Sequence, residues 1–210
     1  EYYIDNNYDC GIEGVDMLQA FKIVEEGTVD KWEELLDFVS DNRIENDSNY
    51  NYLSTMMDCR NYINFWIYQM YFSNVDVRGN IRFWRSDSLD GRFRWIIYDT
   101  DLGWSRYKSN LLADFTSPVK TKWYNPKWAT FLLRKLLANK NFEEYFINQA
   151  AFLISTNLRS DTVKYLIEEF EDRYKDEMIY HFNHRKKFQN YQGNIHQWQK
   201  EVDELKFFAL

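Results

Sequence analysis

Residues 60–72 constrain the fold most. Tyr62, Ile63, Phe65, Trp66, Ile67, Met70, Tyr71 and Phe72 place apolar side chains almost all the way round a helix, and Asp58 stands where a cap is needed. A helix that is apolar on every side is buried by other elements. These residues are therefore expected to form a central helix. It runs straight into Ser73-Asn74-Val75-Asp76-Val77-Arg78-Gly79-Asn80, and a loop that leaves a buried helix has a fixed origin.

A β-hairpin is expected next. Residues 81–85 and 92–98 are apolar or aromatic, and Asp90-Gly91 between them is a turn signal. The second strand should end at Asp99. Upstream, residues 1–11 look irregular and residues 15–26 suggest a short helix. Thr28 is a candidate N-cap for a helix carrying Trp32, Leu35, Leu36 and Val39. A polar turn at 42–48 and a short helix at 50–57 follow. Downstream, residues 105–125 with Pro118 read as a long polar loop. Pro126 opens a helix through Leu137, and Asn141 starts one through Thr156. Ser160 or Asp161 caps a long helix at 162–182, and a last one starts near Ile195. The fold class is α+β, predominantly helical.

A chain of 210 residues is one large domain or two small ones. The 8 Trp, 16 Tyr and 16 Phe imply a core built from rings, with some rings available to line a cleft or a protein-binding surface. With 7 Gly and 2 Pro the chain is neither a repetitive all-β protein nor a disordered one. A net charge of −7 without a basic stripe argues against nucleic-acid binding, and no apolar run is long enough for a membrane span. Cys10 and Cys59 make no disulfide framework; two buried thiols is the default, and one bridge between them is possible. The chain begins at Glu1 with no Met and no helix start signal, and reads as a piece of a longer protein.

The chemistry lies in two short segments. Asp99-Thr100-Asp101-Leu102-Gly103 follows the apolar Trp95-Ile96-Ile97-Tyr98. Two carboxylates two residues apart can reach one divalent cation through hard oxygen ligands suited to Mg²⁺ or Mn²⁺; the bland alternative is a solvated turn. Asp76 is followed four residues later by Asn80. Phosphoryl-transfer enzymes use a loop Asp to accept the proton of the attacking hydroxyl, a nearby Asn to bind metal, and a second Asp before a Gly to hold metal on the phosphates. Protein kinases place that Asn five residues on rather than four. Arg78 can contact a transferring phosphate. His181, His184 and His196, among Lys and Arg in the C-terminal helices, read as surface or structural residues, and Lys120, Lys122, Lys127, Arg134 and Lys135 as exposed charges. Walker loop, GxGxxG and nucleophile elbow are all missing.

Taken together, these segments resemble the CotH kinase family, named for a bacterial spore-coat protein. The resemblance runs from Asn61 through Asp76, through Gly79-Asn80-Ile81-Arg82-Phe83-Trp84-Arg85, and on through Gly91 to Trp104. It continues in Phe131-Leu132-Leu133-Arg134-Lys135-Leu136-Leu137, in Phe142 and Phe146-Ile147-Asn148, and in Trp198-Gln199-Lys200-Glu201-Val202. It implies one atypical protein-kinase-like domain over residues 1–210, mainly the helical lobe plus a hairpin carrying the metal-binding Asp. It implies transfer of the γ-phosphate of ATP, with Mg²⁺ or Mn²⁺, to protein serine or threonine. Asp76 is then the catalytic base with Arg78 beside it, and Asn80 and Asp101 bind nucleotide and metal with Asp99 as auxiliary acid. The family's loop commonly reads D-W-P-G-N-N, whereas here it is Asp76-Val77-Arg78-Gly79-Asn80-Ile81, with no second Asn. The ATP-contacting Lys is expected upstream of residue 1.

The implied partner is a protein substrate, Ser-rich and basic to suit the acidic chain, at a spore coat or cell surface or in secretion. A non-catalytic adhesin or scaffold on the same fold is the alternative, suited to the many Tyr and Trp residues. A nucleotide-sugar glycosyltransferase also carries a D-x-D at a strand end, but needs an alternating βα pattern that this chain lacks.

Overall fold

The computed structural model describes residues 2–11, 13–104, 108–119, 122–185 and 193–209. They form two compact units, 1–150 and 151–210. The first holds the sheet and most of the helices.

It begins with α1 (Tyr2–Tyr8), where the sequence suggested irregular chain. The segment has no start signal of its own, and packing supplies the order. Ile4 is fully buried against Val15 and Trp84, and Tyr8 meets Trp84 edge-on at 4.8 Å. The short helix expected at 15–26 is instead a hairpin, β1 (Val15–Gln19) and β2 (Ile23–Glu26). Its apolar spacing fits either state, and pairing with a partner strand decides between them. The overlooked signal is Gly27 (φ +71°), because a Cβ there would meet Asp16 Oδ1 at 2.3 Å and Val15 O at 2.5 Å.

Helix α2 (Asp30–Asp41) starts after Val29 with no side-chain cap, so Thr28 is not its N-cap. The Thr28 N–H donates to Asp16 Oδ1 at 2.7 Å. Trp32 sends its indole N–H to Phe21 O (2.7 Å) and packs on Phe83 and Phe93. Helix α3 (Asp47–Met56) starts three residues before the expected 50, because Asn46 caps it by accepting from Ser48 N–H.

The central helix is α4 (Cys59–Tyr71), capped by Asp58 as the sequence indicates. Tyr62, Phe65 and Trp66 are at most 2% exposed. Their edge-to-face contacts extend from Tyr62–Trp95 (4.4 Å) through Trp66 to Phe115 (5.1 Å). Rings so arranged contribute beyond the area they bury.

The expected hairpin forms as β3 (Arg82–Ser86) and β4 (Arg94–Ile96). The strand order is β2-β1-β3-β4, and every pairing is antiparallel. Register places Gln19 opposite Arg82 and Val15 opposite Ser86. Asn61 of α4 closes the far edge. Its side chain accepts from Trp95 N–H (2.6 Å) and donates to Trp95 O (3.2 Å), standing in for another strand. Arg85 is buried with Asp16 at 2.7 Å.

The segment expected as one polar loop contains α5 (Leu111–Thr116), which buries Leu111 and Phe115; Lys120 lies outside the described residues. Then come α6 (Lys127–Leu137), opened by Pro126, and α7 (Lys140–Ser155), whose start Asn139 holds by accepting from Phe142 N–H. The second unit carries α8 (Ser160–Arg185) and α9 (Ile195–Phe208), packed together with Glu171 paired to Lys206 at 2.5 Å. No helix among the described residues is long and apolar enough to cross a membrane. Cys10 and Cys59 are both free thiols.

The hairpin turn is fixed by charge. Arg94 holds Asp90 with both terminal guanidinium nitrogens, at 2.8 and 2.6 Å. The hydrogen bonds from Arg94 hold the Asp90 carboxyl well below the usual carboxylate range. A lowered folded pKa contributes stability above the unfolded value near pH 4, and that contribution is lost as pH falls through the folded value. Asp90→Asn is expected to cost about 1–2 kcal/mol at pH 7 in urea unfolding, a deficit that shrinks below about pH 4.

Candidate active site

The loop that leaves α4 is held at every step. Phe72 ends the helix, and Ser73 turns the chain with φ +53°. Asn74 is fully buried. Its backbone N–H donates to Gln69 O (3.0 Å), its side-chain amide donates to Gln69 Oε1 (2.8 Å), and its Oδ1 accepts from Asp76 N–H (3.0 Å). Val75 and Val77 are buried in the core, and Asp76 between them is half-buried. Asp76 O then accepts from Gly79 and Asn80 N–H at 3.2 and 3.3 Å, closing a tight turn with Arg78 and Gly79 exposed.

Asn80 is the junction. It is 9% exposed, and its amide donates both to Asp76 Oδ2 (3.1 Å) and to Asp99 O (3.4 Å). These bonds bring two segments separated by about twenty residues to one place. The second segment is anchored a second time, where Trp104 N–H donates to Phe72 O and the Trp104 ring packs on Phe72 at 5.4 Å.

Strand β4 ends at Ile96, three residues before the expected Asp99. Asp99 and Asp101 therefore lie in a turn past the strand, both exposed, and neither carboxylate has a hydrogen-bond or ion-pair partner among the described residues. Among those residues, no three Asp, Glu, His or Cys side chains converge as a metal cluster. The donor chemistry still suits a magnesium nucleotide. Mg²⁺ takes one or two carboxylates and fills its other positions with water and phosphate oxygens, and Asp99, Asp101 and the Asn80 carbonyl are all hard oxygens.

Backbone strain collects here. Five described non-glycine residues have positive φ, and four of them belong to these segments or border them: Ala20 (+54°), Ser73 (+53°), Asp99 (+51°) and Trp104 (+61°). Ala20 donates its N–H to Ile81 O at 2.7 Å, next to Asn80. Such conformations cost about 1–3 kcal/mol each and persist only where the surroundings over-determine them.

The sequence-derived set thus divides. Asp76, Asn80 and the Asp99 backbone are brought together directly, Asp101 follows in the same turn, and Arg78 is exposed beside Asp76. His181, His184 and His196 belong to the other unit. Sequence reasoning missed Gln69, Asn74, Gln19 and Tyr98. Gln69 was detectable as a polar residue set among the apolar positions of the last turn and a half of α4. Gln19 had no local signal, because its role depends on β1 pairing with β3.

Comparison with protein families matches residues 13–210 to the family described as CotH kinase protein. Comparison with curated proteins and with solved structures gives no significant match.

The acidic turn is packed too tightly for a larger residue at Gly103. A Cβ there would meet Thr100 O at 2.8 Å and Phe72 O at 3.4 Å, both backbone atoms. Gly103→Ala is expected to lower stability by about 1–3 kcal/mol in thermal or urea unfolding.

Proposed function

The chain belongs to the CotH kinase family, and from that premise we propose that it is an ATP- and divalent-metal-dependent protein serine/threonine kinase. One observation carries the reading: a buried asparagine amide bonds the candidate base, Asp76, and the backbone of the candidate metal-binding turn, Asp99, at the same time. Catalysis of phosphoryl transfer is mostly positioning and charge stabilisation, and this junction provides positioning.

The geometry supports the following roles. Asp76 accepts the proton of the substrate serine or threonine hydroxyl as its oxygen attacks the γ-phosphorus, and ADP departs. The Asn80 amide on Oδ2 keeps that carboxylate oriented and leaves its other oxygen to meet the hydroxyl. Asp101 and the Asn80 carbonyl, with Asp99 beside them, would hold Mg²⁺ or Mn²⁺, which supplies charge neutralisation on the phosphates. Arg78 projects from the exposed rim of the turn, where it can steady the transferring phosphoryl group. The net charge of −7 favours a basic, serine-rich acceptor such as a spore-coat or surface protein. A second reading, an adhesin or scaffold on the same fold, draws on the exposed rings of α8, among them Tyr165, Phe170, Tyr174 and Tyr180.

The test is transfer of labelled phosphate from ATP with Mg²⁺ or Mn²⁺ by the full-length protein, using a serine-rich basic acceptor. Asp76→Ala and Asp101→Ala should each reduce transfer at least about hundredfold, with circular dichroism and melting temperature little changed. Transfer that survives in both variants, or no transfer and no nucleotide binding by the native protein, removes the kinase reading.

A further inference from the structure

Gln19 lies at the end of β1, outside both acidic segments. Its side-chain amide has two hydrogens, and the structure gives each a different acceptor. One is Gly79 O at 3.3 Å, in the Asp76 loop; the other is the Tyr98 hydroxyl at 3.4 Å, the residue before Asp99. Tyr98 is itself held, with the Arg82 guanidinium 4.7 Å above its ring and Arg82 paired to Glu25 of β2 at 2.5 Å. The Tyr98 hydroxyl oxygen accepts the Gln19 bond through a lone pair. The strained Ala20 follows immediately, and its N–H bond to Ile81 O fixes the end of β1 against the residue after Asn80.

We infer that Gln19 is a positioning residue that clamps the Asp76 loop to the Asp99–Asp101 turn from the sheet side, opposite in sense to the clamp that Asn80 makes from within the loop. This rests on the kinase reading only for its consequence in the reaction; the clamp itself is a statement about the two segments. Bonds 60 and 79 residues apart in sequence do not serve local secondary structure. The β1–β3 ladder is made by backbone groups and does not need the Gln19 side chain. A second tie matters here because a displacement of about 1 Å between catalytic groups can reduce a rate by about a hundredfold.

Three variants separate the contacts. Gln19→Leu removes both bonds at similar volume. Gln19→Glu keeps a partner for the Tyr98 hydroxyl but loses the donor to Gly79 O. Tyr98→Phe loses the other bond alone. Hydrogen exchange is followed by mass spectrometry on full-length protein without nucleotide, beside melting temperature and phosphate transfer. Gln19→Leu should raise exchange at least about tenfold in peptides covering both 76–81 and 99–104, leave β1 and β3 protected, and lower kcat more than the KM for ATP. Gln19→Glu should loosen mainly 76–81, and Tyr98→Phe mainly 99–104. Unchanged exchange in both segments, or loosening of β1 and β3 in all three variants, overturns the clamp whatever the activity shows. Selective loosening in a protein that transfers no phosphate upholds the clamp and overturns the kinase reading instead.

Discussion

The Asn80 side chain carries the relation on which the rest of this site depends. A primary amide has two hydrogens and one carbonyl oxygen. Here one nitrogen reaches a carboxylate four residues back and a backbone carbonyl nineteen residues on. Buried to 9% exposure, the group gains more from these bonds than it would in water, and loses more if either is broken. The remaining carbonyl oxygen is of the kind that suits a hard cation. A single residue thereby ties the Asp76 carboxylate to the backbone of the Asp99 turn.

Around that junction the fold supplies rigidity of two kinds. Below it, α4 is fixed by aromatic contacts on several sides, and the Gln69–Asn74 pair transmits that fixed position to the Asp76 backbone. Beside it, the four-stranded sheet brings the end of β1 against the start of β3, so that residues far apart in sequence meet at Gly79 and Tyr98. The four left-handed residues at Ala20, Ser73, Asp99 and Trp104 are where the chain leaves regular structure to make these meetings. Their strain is offset by the core and by the bonds that hold each turn, and none of it is relieved by glycine.

Much of this was legible in the sequence, for identifiable reasons. The all-round apolar pattern of α4 and the Asp90-Gly91 turn are local signals, and both elements formed as expected. Asp76 and Asn80 could be singled out because both lie four residues apart in one loop, and the structure bonds their side chains to each other. The β1–β2 hairpin was read as a helix because five or six apolar residues fit either period, and the deciding bonds come from β3, more than sixty residues away. Helix α1 was missed for the same reason, since its order comes from Val15 and Trp84. Gln19 and Tyr98 are ordinary polar and aromatic residues until the sheet register places them on the two acidic segments.

The most direct measurement is of metal uptake through Asn80. Binding of Mn²⁺ in the presence of ATP can be followed by electron paramagnetic resonance for the native full-length protein and for Asn80→Leu, a replacement of similar volume. The account predicts saturable binding by the native protein, weakened at least about tenfold in the variant, with the helical circular dichroism retained. Equal affinity in the two proteins would contradict the claim that this amide assembles the site.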